Sequence, residues 1–136
     1  MSGERTSGGP NGADGANGTV RSTGRQCALV VEDEAFVAFD LEDMLLDIGF
    51  EEVEVRASYE GAEAALDTGS YDLAVFDLNL DGRLSVPLVM RARGMGIPVI
   101  VASGYTAERV PLPANDIPRV VKPYRPADIR RLVESV

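Results

Sequence analysis

Histidine is absent from this chain, and cysteine occurs once, at Cys27. A single thiol excludes an internal disulfide and a zinc cluster and suits a reducing compartment, so a cytoplasmic location is the expectation. Basic residues are scarce: 13 Lys and Arg face 22 Asp and Glu, for a formal charge of -9. Nucleic-acid phosphates are held by clustered Lys and Arg, so direct binding of nucleic acid is not expected. No apolar run approaches the roughly 20 residues that span a bilayer. The Ser-Gly-Glu-Arg-Thr-Ser-Gly-Gly start also lacks the apolar centre of a signal peptide, and no membrane association is expected.

Apolar side chains are nearly missing from residues 1–25, which carry seven glycines among Ser, Thr and Asn. Such a segment buries too little surface to offset its ordering entropy, so 1–25 is expected to be a disordered tail. The rest, 26–136, is the length of one domain with a core of ordinary size. No output domain is expected beyond the last helix.

Short apolar runs, each ending in charge, dominate that domain. Glu32-Asp33 follow Ala28-Leu29-Val30-Val31, Asp77 follows Leu73-Ala74-Val75-Phe76, and Lys122-Pro123 follow Val120-Val121. Runs of this length predict buried strands with the charges at their exits. Between them lie helical patterns. Ala35 to Ile48 puts Val37, Leu41, Met44, Leu45 and Ile48 on one face, and Gly49 ends it. Val53 and Val55 alternate with acids in an outer strand, and Ser58 caps a helix carrying Ala62, Ala65 and Leu66. Ser85 is a second N-cap, with Pro87 in the first turn of a helix to about Arg93. Ile97 to Ala102 is the fourth strand. Pro111, Pro113 and Pro118 stand too close together for a full helix between 106 and 118. The last helix starts near Pro126 with Ile129, Leu132, Val133 and Val136 as its buried stripe. Strands alternating with helices predict an α/β domain with a parallel sheet covered on both faces, where ligands bind at the carboxyl ends of the strands.

Glu32, Asp33, Asp77 and Lys122 would then share one pocket. Three partly desolvated carboxylates within a few ångströms repel strongly unless a cation balances them. Mg2+ suits this set, since it prefers oxygen ligands and binds through one or two carboxylates with phosphate oxygens. One divalent ion and Lys122 neutralise the three acids, leaving both poised to receive a further anion. Taken singly the signals are weak: paired acids are usually a solvated turn, Ser103-Gly104 a turn and Lys-Pro a loop end. Asp81-Gly82 is read as a turn, and Cys27 as a small packed side chain.

The order of the motifs says more. Val-Val-Glu-Asp-Glu, Phe-Asp-Leu-Asn-Leu-Asp-Gly, Val-Ala-Ser-Gly-Tyr and Val-Lys-Pro, over roughly Gln26 to Val136, resemble the receiver domains of two-component response regulators. The resemblance implies a five-stranded doubly wound parallel sheet of flavodoxin-like order 2-1-3-4-5 with a reduced or irregular fourth helix. It implies a phosphoprotein that accepts a phosphoryl group from a sensor histidine kinase or a histidine phosphotransfer protein, with Asp77 as phosphoacceptor. Glu32, Asp33, Asp77 and the backbone carbonyl of Asn79 would hold Mg2+, while Ser103 and Lys122 would bind phosphoryl oxygens. Such a domain is no enzyme beyond its own phosphorylation and dephosphorylation, and it signals to an unidentified downstream protein by rearranging the loop after the fourth strand. Many receivers switch through a threonine or serine coupled to an aromatic residue on the fifth strand; the position three before Lys122 is Arg119, so that coupling in its usual form is absent, and Tyr105 is the candidate substitute. Pro98 to Tyr105, with Asn79, Gly82 and Ser85 after Asp77, is similar to the stand-alone receivers marked by Phe-Ala-Thr-Gly-x-Tyr, with Val101 and Ser103 in place of Phe and Thr. Lacking histidine, the chain cannot relay phosphate through an imidazole of its own.

Two other classes fit parts of the pattern. Asp77-Leu78-Asn79 is similar to the Asp-x-Asp of haloacid-dehalogenase-type phosphohydrolases, but Asn79 removes the second acid. A non-phosphorylated interaction module of the same fold would keep the surface without the chemistry, and the complete acid set with Lys122 argues against it.

Overall fold

The computed structural model describes residues 26–104, 111–114 and 116–136. The expected tail at 1–25 and the switch candidate Tyr105 lie outside these residues. In chain order the elements are β1 (Cys27–Val31), α1 (Ala35–Ile48), β2 (Glu52–Arg56), α2 (Tyr59–Thr68), β3 (Leu73–Asp77), β4 (Asn79–Leu80), β5 (Arg83–Leu84), α3 (Val86–Gly94), β6 (Val99–Ser103), β7 (Arg119–Val121) and α4 (Pro126–Ser135). Five strands form one sheet in the order β2-β1-β3-β6-β7, every neighbouring pair parallel. Counting these strands alone, the order is 2-1-3-4-5, as expected.

Alternation along each strand divides the core in two. Leu29, Val31, Ala74, Phe76, Val99 and Val101 pack against Ala62, Leu66, Leu88 and Ala92 of α2 and α3. Ala28, Val30, Leu73, Val75 and Ile100 meet Leu41, Leu45, Ile129 and Val133 of α1 and α4 on the other face. Both faces are covered, which is why the central strands are continuous apolar runs and the outer β2 alternates Val53 and Val55 with acids.

The helix boundaries follow local chemistry. Gly49 ends α1 at φ 127°, its N–H donating to the Leu45 and Leu46 carbonyls, a conformation that favours glycine. Ser58 caps α2 by accepting the Gly61 N–H at 3.0 Å. Ser58→Ala is therefore expected to lower stability by about 1 kcal/mol, read as a lower urea midpoint with an unchanged slope.

Several expectations need correction. Val136 does not complete the buried stripe of α4. That helix ends at Ser135, and Val136, past its last turn, is 47% exposed, while Ile129 and Val133 are buried and Leu132 is half-buried. Val37 and Met44 are likewise only half-buried on α1. Ser85 stands at the N-cap of α3, yet its side chain makes no cap bond and donates instead to the Asp77 carbonyl. The Asp81-Gly82 turn joins a β4–β5 hairpin that was not expected. Both residues have positive φ, 52° and 88°, the conformation of the tightest hairpin turns. Within 106–118, residues 106–110 and 115 lie outside the described residues, and the remainder contains no helix. Among the described residues no helix is long and apolar enough to cross a membrane.

Candidate functional site

Strand alternation brings the polar residues together. Val30 and Val75 face the α1 and α4 core, and Val120 packs against it. Two positions beyond each stand Glu32, Asp77 and Lys122, with the same side-chain parity. Parallel pairing aligns the three exits, so these residues converge at the carboxyl edge of the sheet.

There, oxygens of Glu32, Asp33 and Asp77 lie within 4.8 Å of one another. Glu32 and Asp77 are buried, at 2% and 6% exposure. Lys122 Nζ lies 2.8 Å from Glu32 Oε1 and 3.1 Å from Asp77 Oδ2, with Glu34 Oε1 at 3.9 Å. The lysine therefore bridges the two buried acids. The Glu34 N–H donates to Glu32 Oε2 at 3.1 Å, orienting that carboxylate as α1 begins. A cavity of about 360 Å³ opens over the cluster, lined by Asp33, Glu34, Asp77, Asn79, Asp81, Gly104 and Lys122. The turn residue Asp81 thus reaches its mouth.

Burial pushes the Glu32 carboxyl up to about 7; hydrogen bonds from Lys122 and the Glu34 amide oppose this, and the Asp77 charge reinforces it. For Lys122, burial works to lower the ammonium, but the hydrogen bonds to Glu32 and Asp77 outweigh it and hold it above its ordinary range. A protonated lysine among carboxylates offsets part of the desolvation cost of the cluster.

Asn79 donates its N–H to Asp77 Oδ1 at 3.2 Å, while its side-chain oxygen accepts the Gly82 N–H at 2.7 Å. Ser103 ends β6, fully buried, and its hydroxyl has no hydrogen-bond partner among the described residues. Its carbonyl accepts the Lys122 N–H at 2.8 Å, which fixes Ser103 beside the lysine's backbone. A buried hydroxyl without a partner is costly. Arg119 is half-buried on β7.

The donor set is made only of oxygens, the preference of hard divalent cations, so the cluster is compatible with such an ion. Sequence reasoning missed two neighbours. Glu34 belongs to the same acidic run as its partners but carries no separate signal. Tyr124, two residues after Lys122, lines an adjacent cavity of about 330 Å³ with Val37, Asp40 and Met44, and burial pushes its phenol up to about 12. Cys27 is as expected a packed side chain: burial, with the charges of Glu52, Glu54 and Asp72, pushes its thiol up to about 11, away from the reactive thiolate.

No family model and no curated protein matches the sequence. Solved structures do. SdrG from Sphingomonas melonis Fr1 is 28% identical, with a TM-score of 0.74 over 82% of this chain and 96% of that one. A CheY-like response regulator receiver domain from Methylobacillus flagellatus is 26% identical, with a TM-score of 0.69 over 81% and 97%. The receiver domain of the Erythrobacter litoralis response regulator PhyR is 24% identical and shares the fold, with a TM-score of 0.71 over 85% and 92%.

Proposed function

We propose that this chain, whose fold is that of the response-regulator receiver domains, accepts a phosphoryl group on Asp77 from a histidine kinase or histidine phosphotransfer protein in a Mg2+-dependent reaction. The observation that carries this reading is one cluster: three carboxylates within 4.8 Å, Lys122 bridging Glu32 and Asp77, and the buried Ser103 hydroxyl, without a partner among the described residues, at the neighbouring strand exit.

Chemically, a carboxylate oxygen of Asp77 attacks phosphorus, the phosphorus–nitrogen bond of the donor breaks, and the imidazole leaves with its electron pair. The product is an acyl phosphate. Mg2+, held by Glu32, Asp33, Asp77 and the main-chain carbonyl of Asn79, would neutralise charge on the phosphoryl oxygens. The chain's own groups supply the rest. Lys122 pairs with one phosphoryl oxygen, and Ser103 donates its free hydroxyl to another. The bond Ser103 gains is the change from which signalling to a downstream protein starts. The chain catalyses only its own phosphorylation and dephosphorylation. A kinase partner is supported by Phe36 and Phe39, 85% and 57% exposed in the first turns of α1, directly after the acidic pair. Aromatic side chains left in water beside a polar site mark a protein-binding face.

Incubation with a small acyl-phosphate donor and Mg2+ tests the reading by phosphate-affinity electrophoresis. One phosphoryl group per chain, lost when the metal is chelated, is expected; no uptake in saturating Mg2+ rejects it.

A pH dependence follows from Glu32. Its folded value near 7 lies above its ordinary 4.5, so between these pH values the folded protein keeps a proton that the unfolded chain has released. Without metal, this group's contribution to stability falls as pH rises through that window. Mg2+ competes with the same proton. Its affinity is expected to rise with pH up to about 7 and level off above, as measured by Mg2+ titration monitored by NMR.

A further inference from the structure

We infer that Ser85 is a positioning residue for phosphoryl transfer to Asp77, its buried hydroxyl clamping the main chain at the residue that takes up the phosphoryl group. The inference rests on Asp77 being the acceptor.

Ser85 is fully buried, and its Oγ donates to the Asp77 carbonyl at 2.7 Å. A serine before a helix ordinarily accepts an N–H from the first turn. Here that role is left unfilled, although Ser85 occupies the N-cap of α3. Its carbonyl still starts the helix, accepting the Leu88 and Val89 N–H groups at 2.9 and 3.0 Å. The hydroxyl alone has been diverted from helix to site.

Asp77 has need of such a partner. Pairing between β1 and β3 ends at Val31 and Phe76, one residue short of Asp77. On the β6 side the ladder continues, with the Leu78 N–H donating to the Ala102 carbonyl at 2.8 Å. The Asp77 carbonyl, past the end of the β1 ladder, is held by Ser85 in place of a strand. The Ser85 N–H closes the same loop by donating to the Leu78 carbonyl at 2.9 Å. Ser85 therefore fixes the two residues from which the hairpin carrying Asn79 departs. The Asp77 side chain takes its direction from this backbone, and in-line attack depends strongly on such direction.

Ser85→Ala, Ser85→Thr and the unrelated cap variant Ser58→Ala are to be compared for phosphorylation by the small acyl-phosphate donor, with thermal midpoints alongside. Ser85→Ala is expected to lower the rate constant at saturating donor and saturating Mg2+ about tenfold. Ser85→Thr, which keeps the donor, is expected to recover most of the rate. Ser58→Ala is expected to lose stability and keep its rate. If Ser85→Ala fails to fold, Ser85→Cys, of similar size with a weak donor, is expected to show the same loss of rate. A Ser85→Ala or Ser85→Cys rate equal to that of Ser58→Ala overturns the inference and leaves Asp77 as acceptor. A wild-type chain that takes up no phosphoryl group overturns both.

Discussion

Asp77→Asn is expected to abolish phosphoryl uptake from a small donor in saturating Mg2+, with the protein still folded. A carboxamide is close in size and shape to the carboxylate, so the packing around this 6% exposed side chain is kept. Its oxygen carries no formal charge and is a poor nucleophile, and the acyl-phosphate product cannot form. The same change removes one of the two buried anions bridged by Lys122. Loss of uptake without loss of the folded state is the signature of a nucleophile. A variant that still gains a phosphoryl group at the wild-type rate would place the chemistry elsewhere.

Lys122→Met is expected to lower stability by about 3 to 5 kcal/mol in the absence of metal, because removing one partner of a buried ion pair leaves uncompensated charge. Here two carboxylates, Glu32 and Asp77, would be left facing each other inside the protein. Two additional measurements identify that cause. The loss grows as pH rises above about 7, because without the Lys122 ammonium Glu32 keeps its proton to higher pH than in the wild type, and it levels off below 7, where both proteins hold that proton. Added Mg2+ recovers more stability in the variant than in the wild type, since the ion supplies the missing positive charge. Chemical denaturation at two pH values, with and without Mg2+, reads both effects. A variant as stable as the wild type in metal-free buffer would contradict the bridging role of Lys122.

Much of this site was legible because strand parity is legible. Val30 and Glu32, Val75 and Asp77, and Val120 and Lys122 are each two residues apart, so once their strands pair in parallel the polar member of each couple points where its apolar neighbour does. The helices were readable for a similar reason: Leu41, Leu45 and Ile48 repeat at helical spacing, and Ser58 and Gly49 are strong boundary residues. Ser85 shows the limit. Two residues before Pro87 it reads as a cap, and only the register, which ends the β1 pairing one residue before Asp77, reveals a better acceptor for its hydroxyl. Lys122 is legible as a charge in the pocket, but its direct bridge between two buried acids is not. Motif order assigns this lysine to a phosphoryl oxygen, whereas in the structure it bridges Glu32 and Asp77. Val136 failed as a core residue because periodicity carries no information about where a helix stops.

Chemical mapping of the phosphorylated residue tests the central claim most directly. Wild-type protein is treated with the acyl-phosphate donor and Mg2+, reduced with borohydride to convert any acyl phosphate to the alcohol, and digested for peptide mass spectrometry. The account predicts a single reduced residue, at Asp77, that disappears when Mg2+ is chelated. Reduction at Asp33 or Glu32 instead, or at Asp77 to the same extent without metal, would contradict it.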